Sequence, residues 1–185
     1  LKSKLIKLFV NKGQLKKMEA KKQRIHVDAT FVIALIDKED DYHSTAEHSF
    51  SKIAENSKMY TLAISNPVLG EVLSKALGGE LPIDKLEMLK TNYLKRVECD
   101  FPSFSNEAWK VKKRLDEEDK LGENNDHITL SIAILDPLRT IFLTNDRKII
   151  TQHEVIRRIA HSFHGKGGRA LSVREALERS KNQIP

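Results

Sequence analysis

Apolar stretches typical of β-strands alternate along the chain with stretches of helical periodicity, and this alternation is the strongest constraint on the fold. Strand-like stretches lie in the first part of residues 25–36 and around residues 58–65, 96–101 and 139–146, and helical patterns separate them. Strands joined through helices run parallel, and helices then cover both faces of the sheet. The sequence therefore predicts an α/β fold, a three-layer α/β/α sandwich with a central, mainly parallel sheet.

Capping signals delimit several of the predicted helices. Asn66 is predicted to cap a helix that starts at Pro67, because proline is favoured at the first helical position, and Gly78 is predicted to end that helix. Ser105 is predicted to cap the helix that follows the third strand. The segment SVREALERS, residues 172–180, is predicted to be the last helix of the chain.

The charge of the chain is unevenly distributed. Residues 1–24 carry a net charge of +8, residues 25–146 a net charge of −8 and residues 147–185 a net charge of +6. We interpret residues 1–24 as a basic N-terminal extension and residues 25–185 as the folded domain. Basic ends around an acidic middle are typical of a protein that binds a polyanion and keeps carboxylates for a cation, but an unevenly charged solvated surface has the same composition.

The chain lacks the sequence features of membrane proteins and of disulfide-rich proteins. Its longest apolar run spans residues 31–36, far below the roughly 20 residues of a transmembrane helix. It contains one cysteine, Cys99, which excludes an internal disulfide framework and is typical of a reducing compartment. We therefore expect a cytoplasmic protein without a membrane span.

Four acidic residues stand at predicted element boundaries rather than on exposed helix faces: Asp28, Glu71, Asp126 and Asp146. Asp126 and Asp146 each have an alternative interpretation as a helix or turn cap, and Glu71 as an acid favoured by the helix dipole. Asp28 is harder to explain in that way, because an unpaired carboxylate among apolar strand residues is costly. Ligands of parallel sheets bind outside the carboxyl ends of the strands, where Asp28 and Asp146 are predicted to lie.

Five segments, taken in order, resemble those of a known family: HVDATFVIALID, DDYHSTAEHSF, ISNPVLGEVLSKAL, NNDHITLSIAIL and TIFLTNDRKI. Over roughly residues 25–160 the chain resembles PIN-domain nucleases, among them the toxin ribonucleases of VapBC-type toxin–antitoxin pairs. The resemblance implies a PIN-like fold and a hydrolase that cleaves RNA as a metal-dependent endoribonuclease. It also implies a homodimer and an antitoxin protein that blocks the acidic pocket with an arginine.

The resemblance assigns roles to individual residues. The catalytic and metal-binding acids that it implies are Asp28, Glu71, Asp126 and Asp146. The supporting residues are Thr144, Thr30 and Asn145. Carboxylate oxygens suit hard divalent cations, so one or two Mg²⁺ or Mn²⁺ ions are implied, and such ions activate water and neutralise phosphate.

Other residues near these segments receive a structural interpretation. His26 and His127 flank two of the acids without the pairing of a zinc site, so they are interpreted as neighbours rather than ligands. Trp109 is predicted to belong to the core rather than to a base-stacking platform. The stretch HSFHGKGGR, residues 161–169, is predicted to be a mobile loop or a basic phosphate contact, and it lacks the order of a nucleotide P-loop. Asp119 and Glu123 stand near the site only if their loop folds back.

The sequence departs from the family pattern at three places. Ala29 follows the first aspartate where a hydroxyl residue is usual, with Thr30 one position later, and Asn125 precedes Asp126. The basic segment before Ile25 has no counterpart in minimal family members. The departures put the rate, the metal preference and the role as a toxin in question.

The sequence is also consistent with other functions to different degrees. A PIN nuclease of RNA processing and a non-catalytic RNA-binding or scaffold protein on the same fold both remain open. A phosphatase of the haloacid-dehalogenase type is disfavoured, because His26 stands where its nucleophilic aspartate belongs. A flap-endonuclease-like DNA nuclease also remains open, although such enzymes are longer and carry more acids and a helical arch.

Overall fold

Five parallel strands form the sheet of the described part of the chain. The computed structural model describes residues 22–118, 124–137, 140–164 and 172–175. The strands are β1 (Gln23–Val27), β2 (Tyr60–Ile64), β3 (Cys99–Asp100), β4 (Thr140–Thr144) and β5 (Ser172–Glu175). Their spatial order is β3-β2-β1-β4-β5, and each neighbouring pair is parallel. The predicted parallel sheet is confirmed.

Helices connect the strands in the same part of the chain. They are α1 (Ala29–Ile36), α2 (His43–Glu55), α3 (Asn66–Leu77), α4 (Ile83–Met88), α5 (Asn106–Asp116), α6 (Asn124–Leu135), α7 (Arg147–Thr151) and α8 (His153–His164). After α4 the chain continues as a π-helical turn, Leu89–Tyr93, and a 3₁₀ turn, Leu94–Arg96.

The helices cover the two faces of the sheet with separate apolar cores. Ile25 and Val27 of β1 pack with buried residues of α1, α2 and α3, whereas Phe142 of β4 packs on the opposite face with α5, α6, α7 and α8. Because side chains alternate along a strand, Arg24, His26 and the position after Val27 point to the α6 face. The predicted three-layer α/β/α sandwich is confirmed, and one face of β1 is polar.

The predicted boundaries of two helices are tested directly. Ser105 caps α5 by accepting a hydrogen bond from the Ala108 amide at 3.2 Å, as predicted. The α3 helix ends at Gly78, also as predicted, and Gly79 adopts a φ of 81° that favours glycine. The capping residue of α3 is Ser65 rather than Asn66, so that prediction is wrong by one residue.

The prediction of a helix over residues 172–180 is wrong where the structure describes it. Residues Ser172–Glu175 form β5 and pair in parallel with Ile141–Thr144. Pairing with the open edge of β4 satisfies backbone groups, and the weak intrinsic preference of a short segment does not outweigh it. The rest of that predicted helix lies outside the described residues.

The prediction that Trp109 belongs to the core is wrong. The apolar face of α5 consists of Ala108, Val111 and Leu115, which are almost fully buried, whereas Trp109 is 49% exposed. Its position one residue after Ala108 turns it about 100° away from that face.

Some predictions concern residues that the structure does not describe. These include residues 1–21 of the predicted basic extension, Asp119, Glu123, and the part of the predicted loop at 165–169. The strand β1 begins at Gln23, two residues before the predicted start of the domain at Ile25. The division into an extension and a domain stays a prediction. None of the helices in the described ranges has the length and apolarity that a membrane crossing needs.

Truncation of Phe142 tests the core under α6. Phe142 is fully buried, so Phe142→Ala is expected to lower the free energy of unfolding by about 3–5 kcal/mol. The matched control is Phe163→Ala on α8, where the ring is 38% exposed and the expected loss is below about 1 kcal/mol. Urea denaturation measures both values, and similar losses would contradict the assignment of Phe142 to this core.

Candidate active site

Asp28 lies between the end of the central strand β1 and the start of α1. Its amide continues the ladder with β4 by donating to the Leu143 carbonyl at 3.2 Å, and its carboxylate caps α1 by accepting from the Phe31 amide at 2.8 Å. The residue is only 6% exposed. A carboxylate is therefore held at the carboxyl edge of the sheet, where ligands of parallel sheets bind.

Two hydroxyl groups orient the Asp28 carboxylate. Thr144 donates a short hydrogen bond to Oδ2, and the Thr30 hydroxyl lies 3.0 Å from each carboxylate oxygen. The Thr144 hydroxyl in turn accepts from the Asp146 amide at 2.9 Å. Thr144 thus connects the first and last of the predicted acids, and Thr30 supplies the hydroxyl that the Ala29 position lacks.

The environment of Asp28 disfavours its charged form. Burial raises the pKa of Asp28 from 3.8 to about 6. Hydrogen bonds from Thr144, the Phe31 amide and Thr30 lower this pKa, and the negative charge of Asp126 raises it further. Since that effect requires proximity, the structure brings Asp28 and Asp126 together.

The other predicted acids lie on three different helices. Asp126 is partly buried in the first turn of α6, two residues inside the helix, so the alternative of a capping residue does not hold. Asp146 is partly buried and caps α7, with its carboxylate accepting from the Lys148 amide at 2.7 Å. Glu71 is partly buried on α3, which packs against both α1 and α6.

Asp28 and Asp126 approach each other, but the described acids do not form a preorganised metal site. Across the described residues, no three His, Cys, Asp or Glu side chains are grouped so that they could hold an ion. Asp28 and Asp126 nevertheless provide the oxygen donors that hard cations require. Two interacting carboxylates, one of them desolvated, gain from a positive charge between them, so the donor set fits a divalent cation.

Ser65 is a site residue that the sequence analysis missed. Asp28 and Ser65 directly follow Val27 and Ile64, which are paired between β1 and β2, so they occupy adjacent positions at the sheet edge. Ser65 is 1% exposed, and its hydroxyl has no hydrogen-bond partner among the described residues. The signal in the sequence is its position directly after a strand, equivalent to that of Asp28.

The two histidines beside the acids are each paired with another acid. His26 Nε2 lies 2.7 Å from Asp136, and His127 Nδ1 lies 2.7 Å from Asp116. Asp116 also accepts from Lys112 at 2.8 Å. Burial favours the neutral form of Asp116, but the hydrogen bonds from Lys112 and His127 outweigh this effect and lower its pKa.

A second buried ionic group lies at the other end of α6. Asp136 accepts from Arg24 at 2.8 Å and pairs with His26, and Arg24 also contacts Asp100 at 2.7 Å. A cleft of about 180 Å³ adjoins Arg24 and Asp136. Because Asp126 and Asp136 lie at opposite ends of α6 and are ten residues apart, this cleft lies about 15 Å from the carboxylates and does not belong to the candidate site.

Solved structures with the same fold are toxins of the PIN-domain type. VapBC2 from Rickettsia felis, bound to a DNA fragment from its promoter, aligns with a TM-score of 0.57 and 19% identity over 83% of this chain and 98% of that one. VapC20 from Mycobacterium tuberculosis, a toxin that cleaves the sarcin–ricin loop, aligns with a TM-score of 0.51 and 17% identity over 69% and 93%. FitAcB from Neisseria gonorrhoeae aligns with a TM-score of 0.51 and 13% identity over 84% and 99%.

These alignments confirm the predicted PIN-like fold. Neither a protein-family profile nor a curated protein sequence matches the chain. At identities of 13–19% the likeness concerns the fold, and the activity of this protein has to be argued from its own residues.

The raised pKa of Asp28 makes the stability of the fold depend on pH. Between pH 3.8 and about 6 the folded state keeps a proton on Asp28 that the unfolded state has lost. The free energy of unfolding therefore falls by about 3 kcal/mol as the pH rises through this range, and the contribution of Asp28 is constant above it. We expect Asp28→Asn to remove this pH-dependent part of the free energy of unfolding. Urea denaturation in EDTA at about pH 4 and pH 8 measures it for both proteins.

The exposed acid Asp84 provides the control for this comparison. Asp84→Asn is expected to keep the pH dependence of the wild type. An equal change in unfolding free energy for wild type and Asp28→Asn would show that Asp28 does not titrate near pH 6.

Proposed function

We propose that the protein is a metal-dependent endoribonuclease that hydrolyses RNA phosphodiester bonds at a site formed by Asp28, Glu71, Asp126 and Asp146. The observation that carries the proposal is the buried Asp28 carboxylate, which faces Asp126 at the carboxyl edge of the sheet and has a raised pKa. The charge of a desolvated acid beside another acid costs free energy that its hydrogen bonds do not cancel, and such perturbed acids are enriched at functional sites.

The direct hydrogen bonds of Asp28 support the assignment. Its donors among the described residues are two hydroxyls and one amide, all neutral. Elsewhere on the same face Asp136, which is equally buried, has the guanidinium of Arg24 as its balancing charge. The contrast favours a cation from solution as the balancing charge for Asp28.

The four acids have different proposed roles in binding one or two Mg²⁺ or Mn²⁺ ions. Asp28 and Asp126 are the proposed principal ligands, Glu71 a ligand or an orienting group for water, and Asp146 a contributor to a second ion. When bound, a divalent ion lowers the pKa of water and neutralises phosphate charge. Without it, the carboxylates would repel the substrate.

The neighbouring residues keep the acids in place. Thr144 holds the Asp28 carboxylate through its hydroxyl and aligns the Asp146 amide, so it couples two acids on different elements. Thr30 restrains both Asp28 oxygens from the solvent side. Asn145, which is partly buried between Thr144 and Asp146, is proposed to support the same edge.

RNA is the proposed substrate, and partner proteins are part of the proposal. VapC20 is described as a toxin that cleaves the sarcin–ricin loop, which supports RNA as the substrate class for a related fold. We further propose a homodimer and an antitoxin that inserts an arginine among the acids, because a bidentate guanidinium suits paired carboxylates. Cytoplasmic action is expected for such a pair.

Replacement of Asp126 tests catalysis. Wild type is expected to cut a mixed structured RNA in Mn²⁺ or Mg²⁺ and not in EDTA. Asp126→Asn should lower the rate by more than about 100-fold, since even residues that only support a metal ligand cost 10–100-fold. The control Asp84→Asn, an exposed acid on α4, should cut at the wild-type rate.

Three outcomes would contradict the nuclease proposal. They are RNA left intact by folded wild type with every metal, cutting that persists in EDTA, and an Asp126→Asn protein with full activity. Binding of intact RNA by wild type would instead favour the non-catalytic RNA-binding function.

Metal binding is tested independently by thermal unfolding. Because a cation relieves the repulsion of Asp28 and Asp126 in the folded state only, millimolar Mn²⁺ or Mg²⁺ should raise the Tm of wild type by several degrees. Asp126→Asn should show a much smaller rise, and Asp84→Asn an unchanged one. A wild-type Tm that does not move in either ion would contradict the proposed site.

A further inference from the structure

The protein's one tryptophan is fixed in orientation and open to solvent. Trp109 on α5 is 49% exposed. Phe104 packs against it edge-on, with ring centroids 6.0 Å apart, and Lys112 Nζ lies 5.4 Å from its ring centroid. An indole that is held by neighbours and remains half-accessible is suited to stack against a flat ligand.

Two further lysines, Lys110 and Lys113, are exposed on the solvent side of α5. Lys113 follows Trp109 by four residues and is therefore its neighbour on the helix surface, whereas Lys110 lies about 100° further round the helix, away from the apolar face. We name Trp109, Lys110 and Lys113 the α5 outer face. Phe101, in the loop before α5, adds a second aromatic ring that is 48% exposed.

The α5 outer face is joined to the candidate active site by the helix itself. The helix ends at Asp116, whose carboxylate hydrogen-bonds His127, the residue after Asp126. Trp109 precedes Asp116 by seven residues, a rise of about 10 Å along the helix. A nucleic-acid strand whose scissile phosphate lies at the acids can therefore extend along α5 by a few nucleotides.

We propose that the α5 outer face binds a single-stranded segment of the RNA substrate, with one base stacked on Trp109 and the adjoining phosphates contacted by Lys110 and Lys113. The inference rests on the proposed function and specifies where its substrate is held. Aromatic rings between cationic side chains match the alternating bases and phosphates of a single strand. The positive charge of the face favours RNA over an apolar protein segment as its occupant.

Tryptophan fluorescence tests this contact directly, because Trp109 is the only tryptophan. The full chain carrying Asp126→Asn is titrated with a labelled unstructured RNA in Mg²⁺, so that binding is measured without cleavage. Stacking should quench the emission at the same RNA concentrations at which the anisotropy of the label rises. Trp109→Ala should bind about tenfold more weakly, and Trp109→Phe, which keeps a stacking ring, should bind within about threefold of the parent.

The lysines are tested by the salt dependence of the same titration. Combined Lys110→Ala and Lys113→Ala substitutions should reduce the slope of log affinity against log salt by about 1.4, since each single-strand phosphate contact contributes about 0.7. The matched controls are Phe163→Ala and Lys90→Ala, exposed residues of the same types elsewhere, which should leave affinity and slope unchanged.

The outcomes separate this inference from the proposed function. If wild type cuts RNA but emission is constant on binding and Trp109→Ala binds like the parent, the α5 outer face is not an RNA site and the nuclease proposal stands. If RNA is neither bound nor cut, both fail. A Trp109→Ala protein that loses binding to a protein partner but keeps the RNA affinity of the parent would also overturn the RNA assignment. If Trp109→Ala lowers the Tm, its weaker binding is not informative. The RNA affinities of Trp109→Phe and of the combined Lys110→Ala and Lys113→Ala protein then test the contact.

Discussion

The burial of the Asp28 carboxylate is the constraint on which the rest of the site depends. A desolvated acid at the end of a central strand is tolerated because it accepts hydrogen bonds from the Phe31 amide, Thr30 and Thr144. These bonds begin α1 and tie β4 to β1 at the sheet edge. They do not cancel the cost of the charge, which is why the pKa of Asp28 stays raised to about 6.

The two acids at the ends of α6, which lie next to the polar face of β1, have different electrostatic environments. At one end of α6, Asp136 forms an ion pair with Arg24 and a hydrogen bond with His26. At the other end, Asp126 approaches Asp28 and adds negative charge to it. An internal ion pair makes the first end a structural element, whereas the second end keeps two interacting carboxylates, and the proposed cation site rests on this arrangement.

The helix α5 relates this chemistry to the surface. Its inner side packs through Val111 and Leu115, its end at Asp116 supports His127 beside Asp126, and its outer side presents Trp109. One rigid element thus carries a core, a support for the acids and an exposed aromatic ring. Such an element can hold a bound strand at a constant distance from the acids, as precise positioning of a scissile bond requires.

The sequence by itself determined the order of strands and helices, because period-2 and period-3.6 apolar patterns are local properties of the chain. It also indicated the four acids, since Asp28 and Asp146 end strands and Glu71 and Asp126 lie early in helices. Local signals located Ser105 as a cap and Gly78 as a stop. They were insufficient for the edge strand at Ser172–Glu175, whose pairing partner lies about 30 residues earlier.

Only the tertiary structure decided which of these residues meet. The approach of Asp126 to Asp28, the position of Ser65 beside it, and the pairing of Asp136 with Arg24 and His26 all join residues from separate elements. The outward direction of Trp109 was decided by the way in which α5 packs, not by the hydrophobicity of the side chain. Contacts of this kind depend on the register of strands and the rotation of helices, and neither is encoded in any single stretch of sequence.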